Sequence, residues 1–199
     1  PDRGERAFVV SLLWATTYDG MVSTPGWAAL AEAVVGIGVP PLLLYLVAIV
    51  AGFAVFAAAF EIAARLARRT ADTYVTADYI SRWFVLALLP IAAAYHLAHF
   101  LGYFLSLSPA LVAVVTTPFA PPPNLSVLVL PGWFSGIQLA FVVIGHMLAV
   151  WVAHALAFEL FPGRLGPIRS QYPFIVVMVL YTVASMWIVS QPLTPPPYV

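Results

Sequence analysis

The stretch PLLLYLVAIVAGFAVFAAAF, residues 41–60, contains no charged side chain and decides the class of fold. An α-helix needs about 20 mainly apolar residues to cross the hydrocarbon core of a bilayer. The whole chain has the same character, because 63% of its 199 residues are hydrophobic and only 8% are charged. A soluble domain carries roughly 25% charged residues. The sequence therefore predicts an integral membrane protein.

Further apolar segments predict an all-α, polytopic transmembrane helix bundle that forms one domain over residues 1–199. The predicted spans cover roughly residues 7–22, 41–66, 83–105, 135–161 and 172–190. Residues 27–39 follow an STPG turn and contain Glu32, so we expect an interfacial helix there. Residues 106–123 and 191–199 are rich in proline, which predicts a loop and an extended tail.

The arginines predict the orientation. All eight basic residues are arginine. If the N-terminus is inside, five spans place every arginine on the cytoplasmic side, as the positive-inside rule requires. Without the first span, Arg3 and Arg6 would lie opposite the other six. The sequence thus predicts a multi-pass protein of the cell membrane, with the N-terminus of this fragment in the cytoplasm.

Several kinds of function are excluded by composition. The chain has no cysteine, so disulfides, thiolate metal sites and cysteine nucleophiles are impossible. The formal net charge is +0, which argues against nucleic acid as a partner, because nucleic-acid binding needs a clustered basic face. The lipid bilayer is the partner that the composition does predict.

All four histidines lie inside predicted spans. His96 and His99 belong to AAAYHLAHFLGYF, residues 92–104, where they share one helix face. From the outer ends of the helices, His99 lies about 10 Å deep, His96 about 15 Å and His146 about 18 Å, whereas His154 lies about 30 Å deep. Ionisable groups inside a membrane are costly and mark functional sites. We therefore predict a cluster of His96, His99 and His146 in the outer half.

Imidazole is a ligand for Zn, Cu or Fe, and for haem iron. The predicted metal ligands are His96, His99, His146 and Asp19, with an orienting role for Asp19 as the alternative. His154 and Glu61 share another depth and form a candidate second pair, although ion pairing of Glu61 with nearby arginines is the competing interpretation. Tyr95 and Gln138 are placed where they could bond a ligand.

The tryptophans have a simpler interpretation. They lie near the ends of the predicted spans, which is typical of an aromatic belt at the membrane interfaces. The residues concerned are Trp14, Trp27, Trp83, Trp133 and Trp187.

Four strings together resemble a known family: TYDGMVSTPGW (17–27), AAAYHLAHFLGYF (92–104), IGHMLAVWVAHALAFELF (144–161) and RSQYPFIVVMVLYTVASMWIVSQP (169–192). They resemble the C-terminal half of the polytopic prokaryotic membrane proteins that carry the name fenitrothion hydrolase. The resemblance implies phosphotriester hydrolysis as the activity. It also implies either a further membrane half that precedes Pro1 or pairing with another chain. The positions that match are Asp19, Gly20, Tyr95, His96, His99, His146, His154, Arg169, Gln171, Tyr172 and Pro173.

Three functions remain open at this point. The first is a metal-dependent membrane hydrolase or oxidoreductase built on the histidine cluster. The second is a haem b subunit of a respiratory complex, with His99 and His146 as axial ligands. The third is an accessory structural subunit of such a complex, in which the histidines only stabilise helix packing.

Overall fold

A computed structural model describes residues 1–120, 122–192 and 194–198 of the chain, and these contain helices but no strand. Pro121 of the predicted loop, and Leu193 and Val199 of the predicted tail, lie outside the described residues. A 3₁₀ turn, Val85–Leu88, joins α4 to α5. The helices are α1 (Arg3–Val22), α2 (Pro25–Gly36), α3 (Pro41–Thr70), α4 (Ala77–Phe84), α5 (Leu89–Thr116), α6 (Phe134–Leu160) and α7 (Leu165–Ser190).

Four helical segments are long and apolar enough to cross a membrane: Pro41–Thr70, Ala77–Thr116, Phe134–Leu160 and Leu165–Ile188. The predictions of an all-α fold and of a multi-pass membrane protein are confirmed. The first predicted span, 7–22, lies within α1, where Glu5, Arg6 and Asp19 limit the uninterrupted apolar length. A fifth span therefore stays a prediction.

Helix ends follow local capping signals. Asp2 caps α1, since its carboxylate accepts the Glu5 N–H at 2.7 Å while the Glu5 side chain accepts the Asp2 N–H at 2.8 Å. Thr24 caps α2 and is followed by Pro25, a residue favoured in the first helical turn. Helix α2 thus covers most of the segment 27–39 that was predicted to be an interfacial helix. It begins two residues earlier and ends three residues earlier than predicted.

The prediction of a loop from residue 106 is wrong, because α5 continues through Pro109 to Thr116. Proline lacks an N–H, so the carbonyl of Leu105, four residues earlier, loses its usual helical donor. The Ser108 hydroxyl donates to that carbonyl at 2.7 Å. A single serine therefore satisfies the group that the proline leaves open.

Helix α7 also contains a proline, and its compensation comes from another helix. Pro173 leaves the carbonyl of Arg169 without its helical donor. Thr70, the last residue of α3, donates its hydroxyl to this carbonyl at 3.0 Å. The bond joins the C-terminal end of α3 to the N-terminal end of α7. Helix α7 begins at Leu165, which is seven residues before the predicted span.

The chain divides into two compact units. Unit 1 comprises Pro1–Leu89 and Ala149–Val199, and unit 2 comprises Pro90–Leu148. Unit 2 contains three of the four histidines.

The core of unit 1 includes a tryptophan packed on a glycine. A Cβ on Gly52 of α3 would overlap the indole ring of Trp14, so only glycine fits there. The Trp14 Nε1 donates to the Ile49 carbonyl at 2.7 Å. Trp14 is 7% exposed and Trp27 is 6% exposed. The predicted interfacial belt is therefore wrong for these two, which are core residues.

A second aromatic side chain joins α3 to α7 in unit 1. The Tyr181 hydroxyl donates to the Phe56 carbonyl at 2.7 Å. The two rings are stacked, with centroids 4.4 Å apart. Because lipid offers no hydrogen-bond partners, such bonds between a side chain and a backbone carbonyl help fix helix neighbours within a membrane.

Candidate functional site

The histidines of unit 2 lie on two helices in direct contact. Gly145 of α6 faces α5 so closely that a Cβ there would collide with Ala94 and would lie 2.9 Å from the Pro90 carbonyl. Farther along the interface, the Gln138 Nε2 donates to the Ala98 carbonyl at 2.7 Å. Residues 138 and 145 thus face residues near 98 and 91, so the two helices run antiparallel.

This register sets the spacing of the histidines along the helix axis. His146 follows Gly145 directly and lies level with residues near 91. His96 is about five residues farther along α5, which corresponds to roughly 8 Å at 1.5 Å per residue. His99 is one turn beyond His96, at roughly 12 Å from the level of His146. The Cα atoms of the three histidines therefore lie at successive levels, but the rings of His96 and His146 turn toward Ala92 and Val142, which brings these two rings closer to one level.

The rings of His96 and His146 have the same local hydrogen bond. His96 Nδ1 lies 2.8 Å from the Ala92 carbonyl, and His146 Nδ1 lies 2.7 Å from the Val142 carbonyl. A carbonyl can only accept, so each Nδ1 carries the proton. In the neutral imidazole, Nε2 then bears the lone pair. This tautomer, with Nδ1–H bonded to a backbone carbonyl, is common among metal-binding histidines.

His99 lies among aromatic rings of its own helix. Its ring meets Phe100 edge-on, with centroids 4.8 Å apart, and Tyr103 at 5.4 Å. Phe100 also lies 5.7 Å from the His96 ring. An open apolar surface on α5 surrounds His96, lined by Ala93, Leu97, Phe100, Leu101 and Phe104.

No group of three histidine, aspartate or glutamate side chains in the described part of the chain is arranged to hold a metal ion. The fourth predicted ligand, Asp19, belongs to unit 1, near the end of α1.

Gln138 bonds to the neighbouring helix, and its suggested contact with a ligand stays a prediction. Its amide donates to the Ala98 carbonyl and joins α6 to α5, so it serves helix packing. Tyr95 is buried, at 8% exposure.

His154, in unit 1, pairs with an amide. The Gln171 Nε2 donates to the Pro167 carbonyl at 2.9 Å, which turns Oε1 toward His154 Nδ1 at 3.2 Å. Gln171 is 7% exposed and lines a cavity of about 30 Å³ that is otherwise apolar apart from Tyr181. A cavity of this size holds about one water molecule and no substrate.

Glu61 has other partners, so the suggested pair of His154 and Glu61 is not formed. Its carboxylate lies 2.6 Å from the Arg6 guanidinium and accepts the Ser81 hydroxyl at 2.7 Å. Arg6 also lies 3.2 Å from Asp78. This Arg6 network joins α1, α3 and α4, and Glu61 forms the local ion pair that its arginine-rich surroundings indicated.

Sequence reasoning missed Ser81 and Asp78 of this network. Ser81 is fully buried, at 0% exposure, and donates to Glu61 in α3. The available signal was a set of polar residues at helical spacing in ADYISRW, residues 77–83, where Asp78, Ser81 and Arg82 lie on one face. This pattern identifies the face, but it does not identify the partners on α1 and α3.

Comparison with known proteins gives no match: no protein family, no curated protein and no solved structure is similar to this chain at a significant level. The resemblance to the fenitrothion hydrolases thus rests on the four sequence strings alone.

Proposed function

We propose that this multi-pass membrane protein binds a transition metal through the histidines of unit 2. The proposed ligands are His96, His99 and His146, with Asp19 as a further ligand or orienting group, and Zn, Cu and Fe are the candidate metals. A change of side-chain rotamers on α5 and α6 has to bring the imidazoles onto one ion, since no three-ligand group is formed in the described residues.

One observation carries this proposal. His96 and His146 lie on neighbouring helices, and both donate Nδ1–H to a carbonyl four residues earlier. Each ring is thereby held in the tautomer whose Nε2 can coordinate a metal. The backbone performs the orienting role that a carboxylate often has at metal centres.

The proposed reaction class follows from the family resemblance. When bound, a divalent metal would supply a hydroxide nucleophile from its water and would polarise the phosphoryl or thiophosphoryl group of the ester. We propose an apolar phosphotriester as the substrate class, and an oxidative reaction as the alternative at the same ligands. Apolar esters would reach the proposed histidine site from the lipid or from the outer aqueous phase.

Elemental analysis and a visible spectrum of the detergent-purified chain test the proposal. We expect about one bound metal per chain, lost in His96→Ala/His146→Ala and retained in His154→Ala. His154→Ala is the matched control, because it removes an intramembrane histidine from unit 1. Hydrolysis of fenitrothion is then compared for the same three proteins.

Metal content that is absent from the wild type, or equal in all three proteins, would contradict the proposal. A Soret band lost in the double variant would instead identify a haem b protein. Unchanged metal content together with unchanged catalysis would assign the hydrolysis to a contaminant.

A second candidate function is that of an accessory structural subunit of a membrane respiratory complex. The observation that favours it is the absence of any three-ligand group in the described residues. On this proposal, the histidine bonds serve helix packing only. A metal-free wild type and His96→Ala/His146→Ala variants that still copurify with a larger membrane complex would support it.

We also propose a partner and an orientation. The exposed α5 surface around His96 is the proposed contact for another membrane chain, as the family resemblance implies. The arginine distribution supports a cytoplasmic N-terminus in the cell membrane. Cross-linking from a reactive group placed at Leu97, exposed at 45%, tests the contact.

A further inference from the structure

Six of the eight arginines fall into two groups, and Arg164 and Arg169 belong to neither. Arg3, Arg6 and Arg82 each lie within 4 Å of a carboxylate of Asp78 or Glu61. Arg65, Arg68 and Arg69, in the last two turns of α3, have no such partner within the described residues. We call these three residues the α3 arginines. They form an uncompensated positive patch on a chain whose formal net charge is +0.

The α3 arginines share one helix face. Their spacing of three and four residues brings the guanidinium groups onto adjacent turns of the same side. They line an open groove of about 530 Å³ between the end of α3 and the start of α4. The other lining residues are Asp72, Thr73 and Ala77. Three guanidinium groups and one carboxylate leave a formal charge of 3 − 1 = +2 in the groove.

An apolar strip continues from the groove along α3. Ile62 is 52% exposed and Leu66 is 42% exposed. They precede Arg65 and Arg69 by three residues each, so they lie one turn farther along the same side of the helix. Positive charge is thus followed by exposed aliphatic surface, in the order in which a phospholipid presents its phosphate and its acyl chains.

We propose that this groove is a binding site for an anionic phospholipid. Its phosphate lies between the α3 arginines, which donate charge-assisted hydrogen bonds to the phosphate oxygens. One acyl chain lies along Ile62 and Leu66. The Asp72 carboxylate accepts a hydroxyl of a glycerol headgroup, and the formal charge of +2 in the groove favours a lipid of net negative charge over a zwitterionic choline lipid. The site is separate from the proposed histidine site and independent of it.

Thermal unfolding of the full chain in an uncharged detergent tests this proposal. The probes are dioleoylphosphatidylglycerol, dioleoylphosphatidylcholine and inorganic phosphate. We expect phosphatidylglycerol to raise the unfolding midpoint in a concentration-dependent manner, because a ligand that binds only the folded state stabilises it. Phosphatidylcholine lacks a net negative charge and inorganic phosphate lacks acyl chains, so each should have little effect.

Two double variants localise the site. Arg68→Gln/Arg69→Gln should require about 30-fold more phosphatidylglycerol for the same shift, since each basic residue near an anionic lipid contributes a factor of about five. The matched control Arg3→Gln/Arg164→Gln removes the same charge from exposed arginines that do not line the groove and should respond like the wild type. Arg68→Lys/Arg69→Lys keeps the charge and should retain most of the response, which separates binding from a folding defect.

Three results would overturn the proposal. Equal lipid dependence for the wild type and Arg68→Gln/Arg69→Gln would show that the α3 arginines only complement the helix dipole. An equal response to inorganic phosphate would identify a free-anion site. An equal response to phosphatidylcholine would show that the site does not select lipids of net negative charge.

Discussion

Polar side chains in unit 1 and histidines in unit 2 satisfy their hydrogen bonds in different ways. In unit 1 the bonds join different helices: Arg6 of α1 binds Glu61 of α3, and Tyr181 of α7 binds the Phe56 carbonyl of α3. In unit 2, His96 and His146 each bind a carbonyl of their own helix, four residues earlier.

The difference separates side chains whose bonds link two helices from side chains that bond to a carbonyl of their own helix. A bond between helices is lost when the helices separate, so it contributes to the stability of the bundle. A bond within one helix persists in the separated helix, so it contributes little to bundle stability. Inside a membrane, polar groups of this second kind are candidates for function.

The largest effect is expected from Gly52→Ala in unit 1. The added Cβ overlaps the Trp14 ring, so the indole must move and lose its bond to Ile49. Overpacking and the lost core contact together should cost about 3 kcal/mol of unfolding free energy. Unfolding of the detergent-solubilised protein by sodium dodecyl sulfate measures the change.

Gly136→Ala in α6 is the matched control, because an added Cβ there has nothing within 4 Å. Alanine is favoured over glycine within a helix by about 0.5–1 kcal/mol, so this variant should be as stable as the wild type or slightly more stable. Equal losses in both variants would show that Trp14 does not pack on Gly52.

A smaller effect is expected from Arg6→Gln. The side chains of Arg6 and Glu61 are 19% and 29% exposed, so the ion pair is largely shielded from solvent. Removing the guanidinium leaves two carboxylates without their shared cation, which should cost about 2 kcal/mol. The double variant Arg6→Met/Glu61→Met should be more stable than Arg6→Gln, because no unpaired charge remains at Glu61.

Arg3→Gln serves as the control for this network. The Arg3 side chain is 80% exposed and lies 3.6 Å from Asp78, so its loss should leave unfolding unchanged. A loss of stability in Arg3→Gln as large as that in Arg6→Gln would show that net charge, rather than the shielded pair, stabilises this end of the bundle.

The smallest effects compare two histidines. His154→Leu leaves the buried Gln171 Oε1 without its donor and should cost about 1 kcal/mol. His96→Leu removes only a bond within α5 and should stay within about 0.5 kcal/mol of the wild type. Both are measured on chelator-treated protein, so that metal binding does not contribute. A larger loss of unfolding free energy in His96→Leu than in His154→Leu would contradict the proposed difference between the two units.

The sequence by itself determined that the chain is helical and polytopic, because apolar length is a local property and a bilayer admits few other structures. Four of the five predicted spans correspond to helices long and apolar enough to cross a membrane. Helix ends were less predictable. A proline normally ends a helix, and its effect at position 109 depends on whether the Leu105 carbonyl finds a new donor, here Ser108.

Only the tertiary structure decided which polar residues meet. Equal depth in the membrane suggested a cluster of histidines and a pair of His154 with Glu61. Depth gives the position along the membrane normal, but it does not say which helices are neighbours or which way a side chain faces. The close contact of Gly145 with α5 fixes the register that staggers His96 and His146. Glu61 binds Arg6, and His154 binds Gln171, because helix neighbours and rotation select partners. These depend on side-chain shapes across the interfaces, which the hydropathy of one segment does not encode.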